Sequence, residues 1–342
     1  MAPTPPPVSS GYRGLESGPS SGLSVRGGVA VLVPVSPYEP PEIVERSARA
    51  MRQMRGDFDL LFLWDGPNAR DIPGARVVRR ENPRGKKAGA INDAMKGSTW
   101  DCVAIFDVDA RPDPDFLEEC LATLRENPGS FVASGPRIIT NPDSTWVTRW
   151  VEAEYKVLSD LYRVFDHIGG YSMFNGPNGV VAGDTLRANP LDETVTCEDV
   201  EFINRLTAAG MRAKFTKRTR MGEQAPETLR DLVRQRIRWL TGAIEGLGQV
   251  RAILRAPVKG RVKFGAASLF VFPLFIGLLS FAIPLYAKRL WMSRRSTGQF
   301  FGVFFGLILH LWVLEFCAVA ALVKHPFRKE HKPWVPVKRA AT

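Results

Sequence analysis

Val103-Ala104-Ile105-Phe106-Asp107-Val108-Asp109 is an apolar run that ends in two carboxylates, and the turn formers Pro112 and Pro114 follow it. The stretch predicts a buried strand with both acids at the C-terminal edge of a sheet, where open α/β folds bind ligands. Two carboxylates this close repel each other unless a divalent cation neutralises them. Hard oxygen ligands suit Mg2+ or Mn2+, ions that commonly bridge to a substrate's phosphates. Alone, such a D-x-D triplet is most often an ordinary surface turn, so its meaning depends on its neighbours.

Toward the N-terminus the pattern repeats. Gly28 to Val35 is a continuous apolar run of the kind buried on both faces. A helix is expected from Glu42 to Met54, a second strand from Phe58 to Trp64 and a short third at Val77-Val78. A basic, Gly-containing loop then leads into a helix over Ala88 to Met95. Strands alternating with helices predict a mostly parallel sheet, helix-covered on both faces.

After the two acids, a strand is expected at Phe131 to Ser134, a long helix at Ser144 to Phe165 and a strand at Val180-Val181. Between the last two lies the turn-rich Asn175-Gly176-Pro177-Asn178-Gly179. Helices are expected at Glu198 to Ala209 and Leu229 to Ile253, the second with arginines on one face and apolar residues on the other, as suits a membrane interface. Phe264 to Ala287 has no charged residue and Phe300 to Val323 has only Glu315, each over roughly the length that spans a bilayer. Basic residues flanking the pair favour both ends cytoplasmic, although Lys288, Arg289, Arg294 and Arg295 lie in the intervening loop. In-plane or re-entrant helices are the alternative, since Pro273 and Pro284 interrupt the first stretch; a buried soluble hairpin is the plainer one.

The 342 residues carry a formal net charge of +11, which attracts anions: nucleotide phosphates, anionic lipid or nucleic acid. No helix-turn-helix, zinc-finger or aromatic RNA-binding pattern is present, so phosphate and membrane lipids are the better partners and nucleic acid is not expected. Four scattered cysteines without a C-x-x-C pair argue against a zinc site or a disulfide framework. Residues 1–27, rich in Pro, Ser and Gly, read as a disordered tail without a signal peptide.

Further signals follow in order. Asp65 ends the second strand, where a carboxylate can accept hydrogen bonds from a nucleoside. Lys86-Lys87 opens a helix whose N-terminal amides favour phosphate. Glu198-Asp199 starts another helix, and Gln235-Arg236-Ile237-Arg238-Trp239 precedes the apolar stretches. Each has a plain reading as well: a turn, a solvated surface, a helix cap, an interfacial anchor.

In this order, W-D-G at 64–66, K-A-G-A-I-N at 87–92, D-V-D at 107–109, T-C-E-D at 196–199 and Q-R-I-R-W at 235–239 resemble the family-2 inverting glycosyltransferases. The resemblance covers roughly residues 28 to 330 and is to the membrane-bound branch of cellulose, chitin and hyaluronan synthases. It implies a GT-A fold, a Rossmann-like α/β architecture, and a nucleotide-diphosphate sugar donor, uridine diphosphate being the commonest carrier. It implies Asp65 at the nucleoside, Lys87, Asp107, Gln235 and Arg238 around the donor, and Asp109 with Asp107 on Mg2+ or Mn2+. Asp199 would be the general base, Trp239 would stack on the acceptor sugar, and Glu198 and Asn175 would lie on the acceptor side. The organisation expected is a tail over 1–27, a catalytic domain over 28–228, interfacial helices over 229–263, two transmembrane helices within 264–323 and a basic tail over 324–342.

Large polymer synthases of this branch usually carry membrane helices ahead of the catalytic domain and more behind it. The expectation here is therefore a homo-oligomer, a membrane partner, or a short or lipid-linked product. A lipid glycosyltransferase similar to ceramide glucosyltransferase is the close alternative. A sugar nucleotidyltransferase is disfavoured because Val33-Pro34-Val35-Ser36-Pro37 stands where a Gly-rich loop belongs, and a catalytically silent scaffold because the acids are retained.

Overall fold

Valine-rich sequence pairs early in the chain. A computed structural model describes residues 28–172, 178–271 and 296–324. In it β1 (Val29–Val35) is followed by α1 (Pro41–Met51), β2 (Asp59–Asp65), β3 (Arg76–Arg80), α2 (Lys86–Met95) and β4 (Cys102–Phe106). These four strands pair in parallel in the order β3-β2-β1-β4. Since β1 leads away to β2 on one side and β4 pairs on the other, the chain connections diverge at the carboxyl ends of β1 and β4. That divergence opens the ligand crevice of doubly wound folds.

The chain continues through β5 (Arg111–Pro112), α3 (Phe116–Glu126), β6 (Ser130–Ser134), β7 (Arg137–Ile139), α4 (Trp146–His167) and β8 (Asn178–Ala182). Then come α5 (Gly183–Ala188), α6 (Glu198–Ala208), β9 (Arg212–Phe215) and β10 (Met221–Glu223). The seven-stranded sheet runs β3-β2-β1-β4-β8-β6-β9, with β8 antiparallel to both neighbours and β9 parallel to β6. A second sheet, β5-β10-β7, is not foreseen by strand patterning, because its strands are only two or three residues long.

Alternation along the strands splits the core. Val31, Val33, Phe62 and Phe106 face α1 and α3 on one side; Leu32, Leu63 and Ile105 face α2 and α6 on the other. The expected helix cover on both faces is therefore present. Two more helices, α7 (Leu229–Glu245) and α8 (Leu247–Arg255), correct the single helix expected over Leu229 to Ile253. The interruption is Gly246, which belongs to neither helix; glycine is a weak helix former and a common place for a helix to bend.

Of the first apolar stretch, residues up to 271 lie in α9 (Gly260–Val271), where Ala266 joins the core and Gly265 sits against Tyr171; the rest falls outside the described residues. The second stretch is in α10 (Thr297–Lys324). Among the described residues this is the one helix whose length and composition would let it cross a membrane, with a mean hydropathy of 2.2 over Phe300–Val323. One side of α10 is covered by protein: Leu307 and Leu311 pack with Ala153 of α4, and Cys317, Ala318 and Ala321 pack with Leu240 of α7. The tails over 1–27 and 325–342 also lie outside the described residues.

Candidate active site

Lys87 is the meeting point. It stands in the first turn of α2, after a tight entry in which Gly85 and Lys86 both adopt left-handed backbone (φ 62° and 50°). Its Nζ lies 3.3 Å from Asp107 Oδ1, at the end of β4, and 3.1 Å from Glu198 Oε1, at the start of α6. Burial alone would push this ammonium down. Asp107, Glu198 and Asp199 outweigh that and hold it above the ordinary lysine range. Three motifs separated along the chain thus converge at the carboxyl edge of β4.

The loop before α2 is fixed from below. Asp65 and Arg80 are cross-strand partners, and Arg80 Nη1 donates to Asp65 Oδ1 at 2.5 Å. The same guanidinium donates to the Arg84 carbonyl at 2.7 Å and to Asp93 at 3.2 Å. Burial pushes the Asp65 carboxyl above its usual range, against the pull of Arg80. The third residue of K-A-G-A is glycine for a steric reason: a Cβ on Gly89 would stand 2.0 Å from the Arg84 carbonyl oxygen.

Asp107 and Asp109 flank a tight turn closed by Ala110 N–H to the Asp107 carbonyl at 2.9 Å. Among the described residues no three His, Cys, Asp or Glu side chains form a metal-binding cluster. Two carboxylates on one turn are a partial, hard-oxygen set. They suit Mg2+ or Mn2+ provided substrate phosphates and water complete the coordination.

Asp199 stands in the first turn of α6, where the helix dipole favours an acid. It adjoins Glu198, whose carboxylate contacts Lys87, and its own charge helps keep that lysine cationic. The loop ahead of it is held by α7: Thr196 N–H and Oγ1 donate to the two carboxylate oxygens of Glu245 at 2.9 and 2.7 Å. Gly242 lets the helix approach, since a Cβ there would stand 2.3 Å from Cys197 Sγ. The Cys197 thiol is pushed up by burial, then by Asp199 and Glu198, against the pull of Arg238. Arg238 stands one turn ahead of Gly242 on the same helix.

Trp239 is half-buried and packs with the Val147, Val151 and Tyr155 side chains of α4. The Arg236 guanidinium lies 4.3 Å from its ring centre and that of Arg137 lies 5.7 Å away. Arg137 is anchored 3.1 Å from Glu223 and 4.7 Å from the Tyr155 ring, which holds it beside Trp239. Gln235 Oε1 accepts from Arg236 at 2.5 Å. Glu198, expected on the acceptor side, is placed against Lys87. Asn175 lies outside the described residues. Sequence reasoning missed Arg80, Arg137, Gly242 and Glu245, whose partners lie too far along the chain for any local signal.

The sheet order, with the acidic turn after β4 and the lysine-headed α2 at its carboxyl edge, defines an α/β fold of the GT-A type. Over 90% of both chains the fold matches a mannosyltransferase from Pyrobaculum calidifontis in complex with GDP-Man and Mn2+, with a TM-score of 0.60 and 18% identity. Residues 102–323 match the family described as Glycosyl transferase family group 2, and the chain belongs to that family. Similar proteins include glucomannan 4-beta-mannosyltransferase 7 of Arabidopsis thaliana, 26% identical over 62% of this chain and 42% of the relative. Glucomannan 4-beta-mannosyltransferase 1 of Oryza sativa subsp. japonica is 30% identical over 48% of this chain and 32% of the relative. The chain thus spans less than half the length of these curated relatives.

Proposed function

We propose that the protein is a metal-dependent, inverting glycosyltransferase that moves a hexose from a nucleotide-diphosphate sugar to a β-linked polysaccharide at the cytoplasmic face of a membrane. The carrying observation is the contact of Lys87 with both Asp107 and Glu198, which joins the donor, metal and base motifs in one cleft. The glucomannan mannosyltransferase relatives favour mannose as the sugar. Together with the GDP-Man in the structural neighbour, they favour GDP-mannose over a uridine carrier.

In this reading Asp65 lies at the nucleoside, while Lys87, Gln235 and Arg238 hold the diphosphate. An acceptor hydroxyl gives its proton to the Asp199 carboxylate as its oxygen bonds to the anomeric carbon. The bond from that carbon to the diphosphate breaks on the opposite face, so configuration inverts. Lys87, kept cationic by its three acidic neighbours, is preorganised to receive the negative charge of the leaving group. A divalent cation held by Asp109 and Asp107 would neutralise the rest of that charge. Trp239 offers an aromatic surface to an acceptor sugar. Membrane residence rests on the composition of α10.

The test is turnover of the detergent-purified chain with GDP-mannose, GDP-glucose, UDP-glucose and UDP-N-acetylglucosamine, with Mn2+, with Mg2+ and with chelator. Metal-dependent release of GDP and a product cleaved by β-mannanase are expected. Label confined to an organic-soluble glycolipid would instead establish lipid glycosylation, and no release from any donor would overturn the transferase reading.

A further inference from the structure

Behind the Q-R-I-R-W segment lies a buried charge cluster that the proposed chemistry does not use. Glu154 of α4 accepts two hydrogen bonds on one oxygen, Oε2: from Arg236 Nη2 at 2.7 Å and from His310 Nε2 at 2.8 Å. Arg236 is 3% exposed and His310 is fully buried within α10. Because that oxygen faces Nε2, the imidazole must be the donor there, which fixes its ring orientation. Arg236 in turn lies over Trp239 and donates to Gln235. One turn before His310, Gly306 permits close approach to α4, since a Cβ there would stand 2.0 Å from the Trp150 indole nitrogen.

Three helices are thus connected by a single carboxylate, and the connection ends on two residues of the proposed cleft. A salt bridge this deep adds little net stability, because desolvation offsets much of the attraction. Its geometric consequence is definite. Arg236 has Nη2 tied to Glu154 while its guanidinium carbon stands over the indole, 4.3 Å from the ring centre.

We infer that His310 and Glu154 are positioning residues. Through Arg236 they set the orientation of Trp239, so that the apolar helix α10 is a working part of the acceptor site as well as a candidate anchor. The inference rests on the reading that Trp239 borders the acceptor.

Three variants of the full-length, detergent-purified chain test this: His310→Phe, which keeps bulk and loses the donor; His310→Gln, whose amide restores an N–H near the Nε2 position; and Glu154→Gln. Donor and acceptor KM are measured separately, with manno-oligosaccharide primers as acceptors, beside calorimetric GDP–Mn2+ affinity and thermal melting. His310→Phe and Glu154→Gln should raise acceptor KM about 10-fold, with GDP affinity within about twofold of the parent and His310→Gln close to parental. Unchanged acceptor KM in both variants overturns the inference. So does a uniform fall in all kinetic parameters that tracks a lowered melting temperature, which would mark the cluster as structural only. Inactivity of the parent chain with every donor and primer would count against the transferase reading itself, and unaltered GDP affinity and melting in the variants would then leave positioning without support.

Discussion

Thr196 and Glu245 are joined by two hydrogen bonds, 2.9 Å from the Thr196 amide and 2.7 Å from its hydroxyl. Glu245 is the last residue of α7, and Thr196 begins the loop that delivers Asp199 to the cleft. The helix that carries Gln235, Arg238 and Trp239 therefore also fixes the position of the proposed base. One rigid element sets the distance between the two halves of the site.

Disturbing that contact should impair chemistry more than binding. Gly242→Ala forces a methyl group into Cys197 Sγ, 2.3 Å from where its Cβ would lie, and the loop has to give way. Turnover is expected to fall about 10-fold or more through displacement of Asp199. Overpacking should cost about 1–3 kcal/mol of stability. Glu245→Gln should lower turnover in the same direction with a smaller stability loss. Parallel kcat measurements and thermal melts of both variants check this; unchanged kcat in Gly242→Ala would remove α7 from control of the base.

Lys87 neutralises Asp107 and Glu198 at once, so Lys87→Met leaves two carboxylates facing each other. Loss of one partner of a charged hydrogen bond costs about 1–3 kcal/mol. Nucleoside diphosphate affinity should drop by roughly the matching factor of 5–150. Lys87→Arg should recover little, because a planar fork cannot replace a point charge between two acids. Calorimetric titration of GDP in the presence of Mn2+ would reveal either outcome.

Asp199→Asn keeps the shape of the side chain and one acceptor oxygen but cannot take a proton. Turnover should fall by about 10²–10⁴, the usual range for a lost general base, while GDP affinity stays near parental. Retained turnover would move the base to another residue.

What the sequence made legible was local. Each motif lies at the end of a strand or the start of a helix, where a few residues suffice: the apolar run into Asp107, or Lys87 before Ala88. The edge-to-edge arrangement was not legible. Strand β8 inserts antiparallel between β4 and β6, and nothing in Val180-Val181 distinguishes that orientation from a parallel one. The Arg80 clamp on Asp65 depends on cross-strand register, which hydrophobic pattern alone does not set for an arginine in V-V-R-R. Arg137 joins Glu223, Tyr155 and Trp239 across three elements, and its immediate neighbours in sequence carry no sign of it. The reading of Leu229 to Ile253 as one helix failed at Gly246, because amphipathic period persists through a bend that only the backbone registers.

Glu154 gives a pH-dependent signature. Burial alone would push its carboxyl up, but Arg236 and then His310 outweigh that and hold it at about 2, below its ordinary 4.5. A group whose folded value is depressed contributes stability above its unfolded value and loses it as pH falls toward the folded one. The contribution should therefore be complete above pH 4.5 and decline as the solution is acidified toward pH 2. Glu154→Gln removes the titration, so its melting temperature should fall less steeply than the parent's across that window, while lying below the parent's near neutrality because Arg236 is left without its counter-charge. Melts of the two proteins side by side, from about pH 6 down to about pH 3, read both effects. Parallel slopes would mean that the folded and unfolded chains bind the Glu154 proton equally well, so that Arg236 and His310 do not hold the carboxylate charged.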